Sequence, residues 1–131
     1  MFDRLSAYQP RLLSVLRIVT GLLLLEHGTA KVLGFPVVAN VPPPGLSLAG
    51  LSGPFELVLG ALFLIGLFTR PVAFVAAGFC AVGYWAMHGP HSPFPIVNGG
   101  EAIVLYCFIF LYFVVAGPGP WSADAALARR S

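Results

Sequence analysis

Four apolar runs constrain this chain more than any other feature: Leu12 to Leu33, Leu51 to Phe68, Pro71 to His88 and Gly99 to Ala116. Each approaches the roughly 20 mostly apolar residues that a helix needs to cross the hydrocarbon core of a bilayer. Charged residues make up only 9% of the 131, against 58% hydrophobic, and the mean hydropathy is +0.90. A soluble domain carries roughly a quarter charged residues to keep its surface wet. With so few, the surface must be largely apolar, which only lipid tolerates. Lipid also demands that every backbone group be paired internally, and the roughly 10-residue alternating segments of a barrel are absent. The reading is therefore all-α: a single domain over residues 1–131, an integral membrane four-helix bundle.

The punctuation agrees. Gly34-Phe35-Pro36 ends the first helix, and Val41-Pro42-Pro43-Pro44-Gly45 is expected to be non-helical. Thr69-Arg70-Pro71 is a tight connection, with proline suited to the first turn of a helix. Gly89-Pro90 through Pro95 separates the third helix from the fourth, and Gly117-Pro118-Gly119-Pro120 stops the last. Leu12 to Leu25 has the length of a signal-peptide core, but Glu26 to Lys31 is a poor cleavage site and three more runs follow, so it is read as a retained helix.

Arg4, Arg11, Arg70, Arg129 and Arg130 all fall on one side of such a bundle, while the loops at 34–50 and 89–98 contain no Lys or Arg. By the positive-inside rule both termini are cytoplasmic, and the expected location is the bacterial inner membrane, crossed several times. The formal charge of +2, without a basic run or basic-aromatic interleaving, excludes a nucleic-acid partner. Cys80 and Cys107 lie inside apolar runs without a Cys-x-x-Cys, so neither a redox dithiol nor a zinc knuckle is expected.

The remaining ionisable residues sort by depth, at about 1.5 Å per helical residue. Glu26, His27 and Lys31 lie toward the outer end of the first helix, Glu56 near the outer start of the second, Trp85 and His88 at the outer end of the third, and Asn98 and Glu101 at the outer start of the fourth. Only Arg17 lies in the inner half. Helical phase groups Arg17, Gly21, Gly28 and Lys31 on one face, and Gly53, Glu56, Gly60 and Phe63 on another. It likewise groups Phe74, Ala77, Ala81 and His88, and then Asn98, Glu101, Phe108 and Tyr112. Glycines on the charged faces imply close helix contact, so these faces are expected to point inward. Glu26, nearly opposite Arg17, is left to a neighbouring subunit or a partner.

Intramembrane charges mark functional sites by default. The competing reading is that Lys31 and Glu101 snorkel to the interface, Arg17 reaches the inner headgroups, and a Lys31–Glu56 or Lys31–Glu101 pair merely ties helices together. Convergence from four helices at one depth favours a binding site, with His27, Lys31, Glu56, Glu101, Arg17, Asn98 and His88 as its candidates. His27 sits beside Gly28, which leaves room for a ligand; His91 is expected to be solvated. A bis-histidine haem has no depth match between His27 and His88, and no metal is assigned.

Leu16-Arg17 with Gly21, then His27-Gly28 and Lys31, resembles the first helix of the DoxX family of small membrane proteins. Glu56 with Gly60, and Gly66-Leu67-Phe68-Thr69-Arg70-Pro71, resemble its second helix and turn. Asn98-Gly99-Gly100-Glu101, Tyr106, Gly117-Pro118-Gly119, Trp121-Ser122 and Asp124 are similar to its fourth helix and tail. The resemblance implies a four-helix membrane protein whose relatives serve sulfur oxidation, quinone reduction or thiol homeostasis, and it carries over Arg17, His27, Lys31, Glu56, Arg70 and Glu101.

Two functions follow. In the first, a redox-linked membrane subunit binds a quinone headgroup in the outer-leaflet polar cluster: Lys31 donates to a carbonyl oxygen, Glu56 and Glu101 exchange protons, and His27 does either. It is not a complete enzyme alone and needs a protein partner or homo-oligomer. In the second, the chain is a non-catalytic assembly or anchoring protein, its charges serving packing and recognition. A transporter is weaker, since four short helices leave little room for alternating access.

Overall fold

The computed structural model describes residues 2–41 and 45–130. The expected non-helical run at 42–44 lies outside them. The described residues are helical with no strand. They form two compact units, Met1–Phe68 with Pro118–Ser131, and Thr69–Gly117.

The first unit is an antiparallel pair, α1 (Gln9–Leu33) and α2 (Leu48–Ile65), with a short α6 (Ala123–Ala128) in its tail. A 3-10 segment, Phe2–Tyr8, leads into α1. Pro10 in the first turn of α1 costs no hydrogen bond there, so the helix begins three residues before the apolar run does. Gly34, at φ 68°, ends it in the left-handed conformation that glycine adopts without strain. The second helix starts at Leu48 because the Ser47 hydroxyl accepts the Gly50 N–H at 3.1 Å, capping a donor with no helical partner. It stops at Ile65, earlier than the apolar run, because Gly66 takes φ 70°.

Glycines set the α1–α2 distance. A Cβ on Gly21 would lie 2.5 Å from the Leu64 nitrogen, and one on Gly60 2.5 Å from the Leu25 nitrogen. One on Gly28 would strike the Leu57 nitrogen, and one on Gly53 would lie 2.8 Å from the Lys31 Cβ. Glycines seven residues apart on each helix thus bring backbone against backbone, which is how helices pack where lipid removes the hydrophobic drive between them. Ser14, Arg17, Thr20, Gly21, Leu24 and Gly28 are buried on α1, and Gly53, Glu56, Gly60 and Phe63 on α2.

The second unit pairs α3 (Thr69–Gly83) with α5 (Glu101–Ala116). The last turn after α3, Tyr84–His88, is a π-helix closed by Gly89 N–H to Tyr84 O at 2.8 Å. A single turn, α4 (Pro95–Asn98), precedes α5, whose start is delayed to Glu101 by Gly99 at φ 70°. Here the expected phases are corrected. Val72, Ala73, Ala76, Ala77 and Cys80 form the buried face of α3, while Phe74 and Ala81 are exposed; on α5, Phe110 and Phe113 are buried, and Glu101, Phe108 and Tyr112 are exposed. The physical reason is that these helices are apolar all round, so hydropathy does not distinguish a lipid face from a packed one. On α3 small residues, not aromatic ones, mark the packed side.

Arg4–Leu33, Leu48–Ile65 and Thr69–His88 are long and apolar enough to cross a membrane, and Glu101–Ala116 is a shorter apolar helix.

Candidate functional site

In the first unit Lys31 and Glu56 form an ion pair across α1 and α2. Lys31, in the last turn of α1, places Nζ 2.7 Å from Glu56 Oε1 on α2 and 3.0 Å from the Ser52 hydroxyl, which donates to Ala49 O at 2.7 Å. Glu56 is 8% exposed, and its Oε2 is buried with no hydrogen-bond partner among the described residues. The close α1–α2 approach makes the pair possible, since Gly53 packs on the stem of Lys31. A carboxylate away from water normally has all its lone pairs satisfied. This one presents an acceptor, or a proton-binding oxygen, beside a cation. Ser52 was missed in the sequence, although it stands four residues before Glu56 and so on the same helix face.

Arg17 does different work. It is fully buried, and its guanidinium donates only to backbone: Nε to Pro118 O at 2.9 Å, Nη1 to Phe63 O at 2.7 Å and Leu64 O at 2.5 Å, and Nη2 to Trp121 O. The planar fork closes the carbonyl end of α2 and fastens the tail to it. Around it, Ser14 Oγ accepts the Trp121 N–H at 3.1 Å, and a Cβ on Gly66 would lie 2.8 Å from the Arg17 Cζ. Both Phe63 and Leu64 stand just before the left-handed Gly66.

The second unit repeats the device. Arg70 Nη1 donates to Val114 O at 2.5 Å and Val115 O at 2.7 Å, at the end of α5, just before Gly117 at φ 80°. In both units an arginine from one helix satisfies the last carbonyls of the other, where the helix dipole is negative.

At the other end of the second unit, Asn98 Nδ2 donates to Tyr84 Oη at 3.0 Å and to Ser92 O at 2.7 Å, while its Oδ1 accepts the Gly100 N–H at 2.7 Å. Tyr84 Oη donates to Pro93 O at 3.2 Å, and His88 Nδ1 lies 3.0 Å from Asn98 O. The His88 and Tyr84 rings stack with centroids 6.2 Å apart. Asn98 thus clasps the loop, with its amide spent on the chain itself. Tyr84, buried at the π-turn, is the second residue that sequence reasoning missed; its place one helical turn before His88 was the available signal.

Of the sequence candidates, then, Lys31 and Glu56 meet in the first unit, and His88 and Asn98 meet in the second. Arg17 stands apart in its carbonyl cage. His27 and Glu26 are exposed on α1, and Glu101 is exposed in the first turn of α5, where its charge suits the helix N-terminus. Among the described residues no group of three or more His, Cys, Asp and Glu is placed to hold a metal ion.

Comparison with known proteins supplies a family. Residues 12–89 match the DoxX family. A Haemophilus influenzae protein described as uncharacterized is 39% identical over 93% of this chain and 95% of its own length. An uncharacterized membrane protein of Mycobacterium tuberculosis is 30% identical over 97% of this chain and 88% of its own. No solved structure matches. With the apolar helices already described, these matches mean that the chain is a membrane protein belonging to the DoxX family.

Proposed function

We propose that this protein is a membrane subunit of a redox system, quinone-linked or thiol- and sulfur-linked, with the Lys31–Glu56 pair as its polar site. In this reading it is a four-helix bundle of the bacterial inner membrane with both termini cytoplasmic, and the pair lies in the outer leaflet. The observation that carries the reading is Glu56 Oε2, a buried carboxylate oxygen without a partner among the described residues, although Oε1 of the same group lies 2.7 Å from Lys31 Nζ. A pair that served only to tie helices would gain by satisfying both oxygens.

The donor set fits a quinone headgroup. Lys31 spends two N–H bonds, on Glu56 and Ser52, which leaves a third for a carbonyl oxygen. Glu56 Oε2 suits a hydroxyl hydrogen or a transferred proton. A bound quinone supplies two-electron chemistry; the chain supplies the cation, the proton site and apolar helix faces for a tail. The electrons would come from a partner subunit. One observation favours a docking role beside this: Glu26 and His27 are exposed on α1 among leucines, a position suited to a partner's polar group.

The test is gentle detergent purification of wild type and Glu56→Gln, with mass spectrometry of co-purifying quinones and proteins. We expect quinone with wild type and a marked loss with a folded Glu56→Gln protein. Equal quinone in both, or none in either, would remove the quinone reading; a stoichiometric partner without quinone would support the assembly role.

A further inference from the structure

We propose that the end of the first unit where α1 begins and the tail is fastened is a docking surface for anionic phospholipid headgroups. Arg4 and Arg11 at the start, and Arg129 and Arg130 after α6, are all exposed, and among the residues whose side chains are described none is ion-paired to them. Asp3 and Asp124 are the acidic residues of these segments, so the end is net positive. Asp124 is turned to the chain, its Oδ1 accepting the Phe68 N–H at 2.8 Å. Leu5, Tyr8, Trp121 and Leu127 are each more than half exposed here. The Arg11 guanidinium stands 5.9 Å over the Tyr8 ring.

This surface is built. The tail is held by Arg17 on Pro118 O and Trp121 O, by Ser14 on the Trp121 N–H, and by Asp124 N–H on Gly66 O at 2.9 Å. Ser122 caps α6 through the Ala125 N–H at 3.1 Å. Because Ser14 lies in the first turns of α1, these bonds seat Trp121 beside the place where the apolar helix begins. The indole of Trp121 takes no part in them. A buried arginine is thus committed to fixing a tail that exposes an indole, a leucine and two guanidinium groups in and around a short helix.

The chemistry selects the occupant. The end of a spanning helix lies at headgroup depth, where tryptophan and tyrosine concentrate. Guanidinium groups bind phosphate oxygens in a bidentate fork, and basic residues near an anionic bilayer each gain about 1 kcal/mol, or roughly fivefold in affinity. Mixed apolar and cationic side chains at that depth complement an anionic phospholipid, its phosphate on the arginines and its acyl region against Leu5 and Trp121.

The experiment uses the full chain in nanodiscs of phosphatidylcholine with phosphatidylglycerol, re-extracted gently and analysed by native mass spectrometry for retained lipid. Wild type should retain phosphatidylglycerol at least about fivefold above its share of the bilayer. Arg11→Gln/Arg129→Gln/Arg130→Gln should return to the bulk ratio with its unfolding temperature in pure phosphatidylcholine unchanged. A bulk ratio for wild type, or full enrichment in the triple variant, overturns the proposal. Should the variant fail to fold, wild type decides alone. Raising the salt from about 0.05 to about 0.5 M must weaken the enrichment, because screening shortens the reach of exposed charges. Salt-insensitive enrichment overturns it as well.

Discussion

Arg17 Nη1 donates to the Leu64 carbonyl at 2.5 Å, and that carbonyl has lost its helical partner four residues on because the Phe68 N–H is turned to Asp124 Oδ1 at 2.8 Å. One broken helical hydrogen bond is thus replaced by two charge-assisted ones, with the cation on the acceptor and the anion on the donor. The exchange lets the chain leave α2 at Gly66 without stranding either backbone group, the carbonyl against the fully buried Arg17 and the N–H at the exposed Phe68.

Arg17→Lys should therefore be poorly tolerated despite keeping the charge. An ammonium has three donors on a single point, and the Arg17 fork reaches four carbonyls from two segments. A loss of at least about 2 kcal/mol is expected, since each stranded buried carbonyl costs roughly 1–3 kcal/mol. Thermal unfolding in detergent, with limited proteolysis after Gly119, would read it. A lysine variant with wild-type unfolding and a protected tail would mean that the carbonyl cage does not hold the tail.

Gly28→Leu should disrupt the first unit far more than Leu23→Ala. Any Cβ at Gly28 strikes the backbone of Leu57, whereas Leu23 is 40% exposed and its removal leaves no packed gap. Overpacking costs about 1–3 kcal/mol where side chains can give way, and here backbone must move. Equal detergent stability of the two variants would argue that α1 and α2 are not in backbone contact.

The proposed orientation gives a labelling pattern. In a background with Cys80 and Cys107 replaced, Gly45→Cys and His91→Cys, both exposed in loops without Lys or Arg, should react with an impermeant thiol reagent on the outer face. Ala128→Cys should react only after permeabilisation. The opposite pattern would invert the topology and move the Lys31–Glu56 pair to the inner leaflet.

Much of the first unit was legible in the sequence because glycine and charge share a face there. The spacing of Gly21 with Gly28 and of Gly53 with Gly60 marked the contact, and Lys31 and Glu56 fell on it. The second unit was less legible. Its aromatic residues fall on both sides, Phe74, Phe108 and Tyr112 exposed but Phe110 and Phe113 buried, so they do not mark the packed face; on α3 the small residues Ala73, Ala76 and Ala77 do. Arg17 was read as a ligand candidate because its partners are backbone carbonyls, which no residue type announces. The Asn98 clasp was hidden for the same reason, as two of its partners are main-chain groups of Ser92 and Gly100.

The Lys31–Glu56 pair itself can be separated into structure and function by a double substitution. Lys31→Met alone leaves a buried carboxylate without its cation, and Glu56→Gln alone leaves Lys31 facing an amide. Removing one partner of a buried pair typically costs roughly 3–5 kcal/mol, while replacing both by neutral groups of similar volume is often neutral. Lys31→Met should therefore destabilise the protein, and Lys31→Met/Glu56→Gln should recover most of that loss in thermal unfolding. The double variant then isolates the chemistry. It keeps the α1–α2 contact, which rests on glycines, but has neither a cation nor a proton-exchanging oxygen at the site. If the pair serves a redox system, the double variant should be stable, reach the membrane in normal amounts, and fail to complement loss of the wild-type gene. A stable double variant with full complementation would reduce the pair to a helix tie and withdraw it as the functional site.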